Sequence, residues 1–545
     1  MTEKKKGNRP LSDDPARRAI RSSLGETILV EAAAGTGKTT SLVDRMVALV
    51  GAGASIGQIA AVTFTIKAAA QLDQRFQASL EAAARDDPDP VRREWFVTAL
   101  GSLDACFVGT IHAFCARLLR ERPVEAKLEP GFTEIDEAVD RSERASAWRR
   151  FGERLFIEEN STLERLVGFG VRWDDLEPTF NDLCENEDVE PVAQGEVPPP
   201  DLSAERARLE RYLDSVMPEL PANVPSGGWD KLQSALRQAD RLRRILDASS
   251  AETAEILRVL ATGTEVVQKR WPNAARAVAL NASHEEFLQD VARPAIQRWR
   301  EFLHPIAMSL LRPAVDSYRD WRHATGRASF QDLLSVARDL LRDRPAVRED
   351  LQRRFPRLLV DEFQDTDPIQ AEVVLYLTGQ DTSERDCWKL SPIPGSLFVV
   401  GDPKQSIYRF RRADIETYNR VRETIRRAGG RVLQLNTNFR SAEQVCEWVN
   451  GAFERLLPAG SDPRPEQAEH VPLVAFEPPG GPEAGAFRLE PRGAASNRQA
   501  DLVAADSARI ADVIAAAISG AGMPGGSPRR YLPADFLNLL RRRNN

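Results

Sequence analysis

Long apolar runs are missing from this 545-residue chain, and the opening "MTEKKKGNRPLSDD" lacks the apolar core of a signal peptide. No membrane association is expected, and the expected setting is the cytoplasm. Cysteine is also scarce. The five, Cys106, Cys115, Cys184, Cys387 and Cys446, form no CxxC pair. That argues against a disulfide framework or a thiolate zinc site and fits a reducing compartment. There is no excess of positive charge either: 74 Lys and Arg face 81 Asp and Glu, a net charge of −7. A uniformly basic coat for nucleic acid is excluded, whereas a basic groove on an acidic body is not. No internal repeat is present.

The remaining composition, 42% hydrophobic and 28% charged, is that of a globular protein. The length suggests about three to four domains. Six short apolar runs lack the alternation of a half-exposed strand, which predicts buried strands of a parallel sheet. They are "TILVE" (27–31), "IAAVTFT" (59–65), "ACFVGT" (105–110), "RLLVDE" (357–362), "SLFVVGD" (396–402) and "RVLQLN" (431–436). After the first, Leu42, Val43, Met46, Val47 and Val50 recur at helical spacing, so a β-loop-α unit is expected. From about 125 to 325 helical periodicity dominates, broken by the acidic, Pro-rich stretch 185–201. The tryptophans there are expected to pack the helices. A long loop is expected from about 455 to 500, then a helix in "ADSARIADVIAAAI" and a short strand in "FLNLL".

"EAAAGTGKTT" (31–40) carries the chemistry. Ala32 to Thr39 match the phosphate-loop spacing G-x-x-x-x-G-K-[ST], with Ala32 in place of the first Gly. Gly35 and Gly37 admit phosphate oxygens close to the backbone, and consecutive amides at a helix N-terminus favour negative charge. Lys38 can reach terminal phosphates and the Thr39 hydroxyl can bind Mg²⁺. A carboxylate for the metal and a base for water are then required. "RLLVDEFQDTDPIQ" delivers Asp361 and Glu362 to the C-terminal edge of a strand, where open α/β sheets bind ligands. Asp361 is the expected metal-side residue and Glu362 the expected base, both beside the Lys38 ammonium. Asp367 with Pro368 reads as a helix start.

"VTFTIKAAAQL" (62–72), "GTIHAFC" (109–115), "DEFQDTDPIQ" (361–370), "GDPKQSIYRF" (401–410) and "NTNFRS" (436–441) follow one another in the order of superfamily 1 DNA helicases. The chain resembles the UvrD/Rep type, and "VEAAAGTGKTT" with "GTIHAFCARLLRE" is most similar to the RecB/AddA branch. The resemblance implies an α/β fold: a RecA-like P-loop NTPase parallel sheet, a large helical insertion and an incomplete second RecA-like domain. It implies an ATP-binding set of Ala32, Ala33, Ala34, Gly35, Thr36, Gly37, Lys38, Thr39 and Thr40, with Phe439 stacking near the adenine. Gln405 would sense the γ-phosphate, and Arg440 would reach it from the second motor domain, so Lys38, Glu362, Gln405 and Arg440 form the catalytic set. ATP and Mg²⁺ are the implied cofactors. Phe64, Lys67, Thr110, His112 and Phe410 would line single-stranded DNA. By spacing alone, Phe64 and Phe410 serve equally well as core aromatics, and His112 reads as a structural hydrogen-bonder. The motif context turns all three towards DNA, through base stacking and phosphate contacts that ignore sequence. Tyr408, in "YRFRR", fits a DNA track or a solvated Arg cluster.

The domain expectation is a disordered N-terminus (1–14), a first motor domain (15–125 and 326–430), a helical insertion (126–325) and a partial second motor domain (431–545). "FQDLLSVARDLL" (330–341) is expected to be a core helix. Asp14 and Pro15 stand about where many relatives carry an adenine-reading Gln, and Ile66 replaces a more usual polar residue. A Lys-Gly-Leu-Glu-like motif and a second phosphate-facing Arg, normal further along in such helicases, are absent from the sequence. The expectation is the N-terminal portion of a longer 3′-to-5′ helicase of repair or recombination, weak as a motor alone. Its partners would be single-stranded or partly duplex DNA and a polypeptide supplying the missing motor and nuclease parts. A non-catalytic or ATP-binding-only module for DNA or a partner is the competing reading.

Overall fold

Each of the six apolar runs forms a strand in the computed structural model, which describes residues 11–189, 195, 197–263, 265–457, 468–476, 499–521, 523 and 530–536. The strands of the chain are β1 (Ile28–Ala32), β2 (Ile59–Thr63), β3 (Phe107–Thr110), β4 (Thr133–Glu134), β5 (Arg327–Ala328), β6 (Arg357–Val360), β7 (Leu397–Gly401), β8 (Arg431–Leu435), β9 (Thr437–Asn438) and β10 (Val474–Ala475). Six of them make one sheet in the order β3-β2-β6-β7-β1-β8. Every pairing in it is parallel. All residues of β2 and β7 are buried, so both faces are covered and no alternation is required.

The helices α1 (Asp14–Ser22), α2 (Lys38–Val50), α3 (Ile66–Asp86), α4 (Pro90–Leu100) and α5 (Ile111–Glu121) alternate with the first strands. Leu42, Val43, Met46 and Val50 of α2 are buried against Ile28, Val30 and Phe398, the apolar face its spacing predicts. From β1 the chain passes over two positions to β2, and β6 and β7 later fill the gap. The carboxyl ends of β1, β6 and β7 therefore border a topological crevice.

Residues 1–127 with 332–545 form one compact unit and 128–331 another. The second is helical apart from the β4–β5 pair. Its core holds Leu209, Leu236, Leu257, Leu288 and Leu311 with Trp148, Trp271 and Trp299. Trp148 stacks on Trp173 at 3.9 Å between centroids. The tryptophans here are packing residues. The helix Phe330–Asp343 buries Leu333, Leu334, Ala337, Leu340 and Leu341, a core face.

Two boundaries differ from expectation. Arg431–Leu435, expected to open a second motor domain, pairs with β1 along five residues and extends the first sheet. Its burial alternates on Leu433 and Leu435, the pattern of an edge strand with one covered face. Ser12 and Asp13, expected within a disordered leader, are held instead. The Ser12 hydroxyl donates to Asn436 Oδ1 at 2.9 Å, and Asp13 is buried in hydrogen bonds to Thr437. Residues 1–10 of that leader lie outside the described residues, as do 190–194 and 196 of the acidic break, most of the loop expected at 455–500, and the "FLNLL" strand beyond Phe536. The helix Gln499–Ser519 contains "ADSARIADVIAAAI". Among the described residues, no helix is long and apolar enough to cross a membrane.

Candidate functional site

The loop after β1 turns through Gly35 and Gly37, both at positive φ (77° and 90°), and α2 starts at Lys38. The Thr36 hydroxyl donates to the Ala33 carbonyl at 2.8 Å and braces the turn. Side chains are excluded at Gly35, because an added Cβ would lie 2.8 Å from Asn438 Nδ2 and from Arg440 Cβ. Phe439 N–H donates to the Gly35 carbonyl at 2.9 Å, and Asn438 Nδ2 donates to the Ala34 carbonyl at 2.8 Å. The segment 436–441 is thus laced to the loop, and Phe439 and Arg440 stand beside it, both exposed. Thr39 is half-buried at the start of α2 and Thr40 is exposed.

The acids arrive from β6. Lys38 Nζ lies 2.5 Å from Glu362 Oε2 and 3.5 Å from Gln405 Oε1. Glu362 holds a left-handed backbone, φ 51°, a strained conformation for a residue with a Cβ and one that collects at functional sites. Asp361 is buried, and its Oδ1 accepts the Glu362 N–H at 3.0 Å. Burial, and then the Glu362 charge, push the Asp361 carboxyl up to about 6. The same two causes, in the same order, push Asp365 up to about 6. Cationic charge brought to this corner restores the ionised forms. Among the described residues no group of three or more His, Cys, Asp or Glu could hold a metal by itself. Asp361 is buried at the end of β6, and Thr39 is half-buried in the first turn of α2.

Three rings form a partly exposed series beyond β2 and β7. Phe64 and Tyr408 have centroids 5.2 Å apart, and Tyr408 and Phe410 5.7 Å. Phe410 is 78% exposed, and Arg411 lies over both Tyr408 and Phe410. Lys67 is exposed on α3 nearby in sequence. Thr110 serves the fold, since its hydroxyl accepts the Ala113 N–H at 3.2 Å and caps α5. His112 is half-buried in the first turn of α5.

The sequence reading passed over four side chains that organise this corner. Gln364 and Asp402 link the ends of β6 and β7 through a 2.8 Å bond from the Asp402 N–H to Gln364 Oε1. Asp13 accepts both Arg17 Nε and Nη2 at 2.8 Å, and Arg17 Nη2 also donates to the Thr36 carbonyl at 2.9 Å. The Arg17 guanidinium sits 5.0 Å from the centre of the Phe439 ring. Burial pushes the Asp13 carboxyl up, but Arg17 and Thr437 outweigh it and hold it below the usual range. The i,i+4 spacing of Asp13 and Arg17 was the available signal.

Comparison with known proteins follows the same lines. The profile of the UvrD/REP helicase N-terminal domain matches residues 13–426. The chain is similar to an ATP-dependent helicase/nuclease subunit of Levilactobacillus brevis, 27% identical over 79% of this chain and 38% of that protein. It is similar to the protein of the same name in Streptococcus sanguinis, 26% identical over 83% of this chain and 40% of that protein. A third, the exonuclease/helicase subunit RexA of Streptococcus pneumoniae, is 25% identical over 79% and 38%. The chain spans well under half the length of these relatives.

Proposed function

The chain belongs to the UvrD/REP helicase N-terminal domain family, and from that premise we propose that it hydrolyses ATP to move on single-stranded DNA, with 3′-to-5′ polarity, in repair or recombination. The observation that carries this reading is the 2.5 Å approach of Lys38 Nζ to Glu362 Oε2, which puts a phosphate-loop cation and a carboxylate base in one crevice. Lys38 and the amides of residues 33–39 hold the terminal phosphates. Glu362 orients the attacking water and takes its proton. Gln405, within reach of Lys38, senses the terminal phosphate, and Arg440 offsets charge that develops there. Asp361 and Thr39 would hold Mg²⁺, which would supply charge neutralisation at the phosphates.

Phe64, Tyr408 and Phe410 offer a stacking ladder that accepts any base, with Lys67, Thr110 and His112 beside the DNA backbone. The relatives' shared name, ATP-dependent helicase/nuclease, supports a DNA substrate, and their naming as subunits supports a second polypeptide in the working assembly.

The test is ATP turnover with and without single-stranded DNA, beside a strand-displacement assay. Turnover should rise with DNA and fall at least about 100-fold in Lys38→Ala, as when a charge-stabilising group is removed. Phe410→Ala should weaken DNA binding by about 1–3 kcal/mol, one stacked base, and leave DNA-free turnover unchanged. Equal behaviour of Lys38→Ala and the unsubstituted chain would leave only a binding module.

A further inference from the structure

Gln364 lies in the short turn Phe363–Asp365 after β6, and the residue is 3% exposed. Both ends of its amide are used. Oε1 accepts the Asp402 N–H at 2.8 Å. That donor dictates the amide's orientation and leaves Nε2 to face the carboxylate, donating to Glu362 Oε2 at 2.7 Å. Asp402 Oδ2 accepts Gln405 Nε2 at 2.7 Å, and its Oδ1 pairs with Lys404 at 3.1 Å. Ser406 Oγ donates to the Gln364 carbonyl at 3.1 Å. Gln405 Oε1 faces Lys38, and Lys38 returns to Glu362. Five residues thereby close a ring: Lys38, Glu362, Gln364, Asp402 and Gln405.

Glu362 has a strained backbone, and its Oε2 accepts from both Lys38 and Gln364. Lys38 must turn to phosphate when a nucleotide enters, which leaves the Gln364 amide as the holder of that carboxylate. Glutamate at 364 would set a carboxylate where the donor stands, beside Asp361, Glu362 and Asp365. Glutamine is the isostere that both donates to Glu362 and accepts from Asp402.

We propose that Gln364 is a positioning residue, which aims Glu362 at the attacking water and couples that aim to the Asp402–Gln405 end of β7. It acts through the Glu362 carboxylate and not on the nucleotide. This rests on the reading of Lys38 and Glu362 as a hydrolytic pair.

The experiment is single-turnover hydrolysis of γ-labelled ATP by the full chain in excess, with affinity for a fluorescent ATP analogue measured alongside. Gln364→Glu should slow hydrolysis about 100-fold, the scale of a base displaced by about 1 Å. Nucleotide affinity should stay within about twofold, a kcat effect and not a KM effect. In a Glu362→Gln background the added Gln364→Glu should change nothing further, because its route to the reaction is gone. Gln364→Met, neutral and similar in volume, serves if the charged variant does not fold, with the same expectations. Hydrolysis at the unsubstituted rate, affinity falling in step with hydrolysis, or an undiminished effect in the Glu362→Gln background would each overturn the proposal. If the unsubstituted chain hydrolyses nothing, or Lys38→Ala hydrolyses equally well, the underlying reading fails and this proposal with it.

Discussion

The sheet unit and the helical unit handle buried polar groups differently. In the sheet unit Asp13, Asp361, Gln364, Asp365, Asp402, Thr437 and Asn438 are all buried and gather on the loop after β1 and the ends of β6 and β7. Gln364 is joined to Glu362 and to Asp402, Asp13 is joined to Thr437, and Glu362 has a strained backbone. In the helical unit the buried polar groups are scattered, and two of them, Asp230 and His284, are satisfied within the unit. Asp230 caps the helix Lys231–Arg243 and accepts the Trp271 indole N–H at 2.5 Å. His284 sits between Tyr212 and the Leu260 carbonyl. Convergent polar groups on strained backbone mark chemistry, whereas dispersed and satisfied ones mark structure.

The largest effect expected from breaking this contrast is on the helical side. Leu257 is wholly buried in the apolar core, so Leu257→Ala should cost about 2–5 kcal/mol. Urea unfolding followed by tryptophan fluorescence would read the loss, since six tryptophans fall between 148 and 321. Affinity for an ATP analogue should be unchanged. Nucleotide binding lost together with the helical core would show that the division is wrong.

A smaller effect is expected at Asp13. Asp13→Asn places an amide among four donors: Arg17, the N–H groups of Asn436 and Thr437, and the Thr437 hydroxyl. The expected cost is about 1–3 kcal/mol. Because the folded Asp13 carboxyl titrates below its unfolded value, near 3.9, its contribution is complete above that value and is lost as pH falls through the folded one. Unfolding midpoints of Asp13→Asn and the unsubstituted chain should therefore converge in acid. A constant gap across that range would remove the ionised carboxylate from the explanation.

Asp13 also shows what a sequence hides. The central strands, such as β2 and β7, were legible because burial on both faces writes itself as unbroken apolar runs. The turn from β1 into α2 was legible because Gly35 and Gly37 set its positive-φ geometry locally. Asp13 grips Thr437 across 424 positions, and no local pattern records such a partner. Gln364 and Asp402 stand within recognisable motifs, but their bond exists only because β6 and β7 are neighbours in the sheet. Arg431–Leu435 reads correctly as a strand, and only the sheet order reveals its place beside β1. Thr110 is assigned to DNA by resemblance, while its capping of α5 follows the ordinary preference for Thr before a helix.

The smallest effect expected lies in the helical unit, at His284. Its Nδ1 lies 2.7 Å from the Tyr212 hydroxyl, and its Nε2 lies 3.2 Å from the Leu260 carbonyl. A neutral ring with the proton on Nε2 satisfies both, donating to the carbonyl and accepting from the tyrosine. Burial lowers its pKa from the ordinary 6.5, against the opposing pull of the Leu260 carbonyl and the Glu285 charge. The unfolded chain then takes up a proton before the folded one does. Stability from this residue is complete above about 6.5 and declines as pH falls through the folded value. His284→Gln should lower stability near neutrality and flatten its decline between about pH 7 and 5, read by tryptophan fluorescence in urea at each pH. A steeper decline in the variant would mean that the folded ring gains its proton more readily than the unfolded one. The dispersed polar groups of this unit would then be pH-active, and the contrast with the sheet unit would weaken.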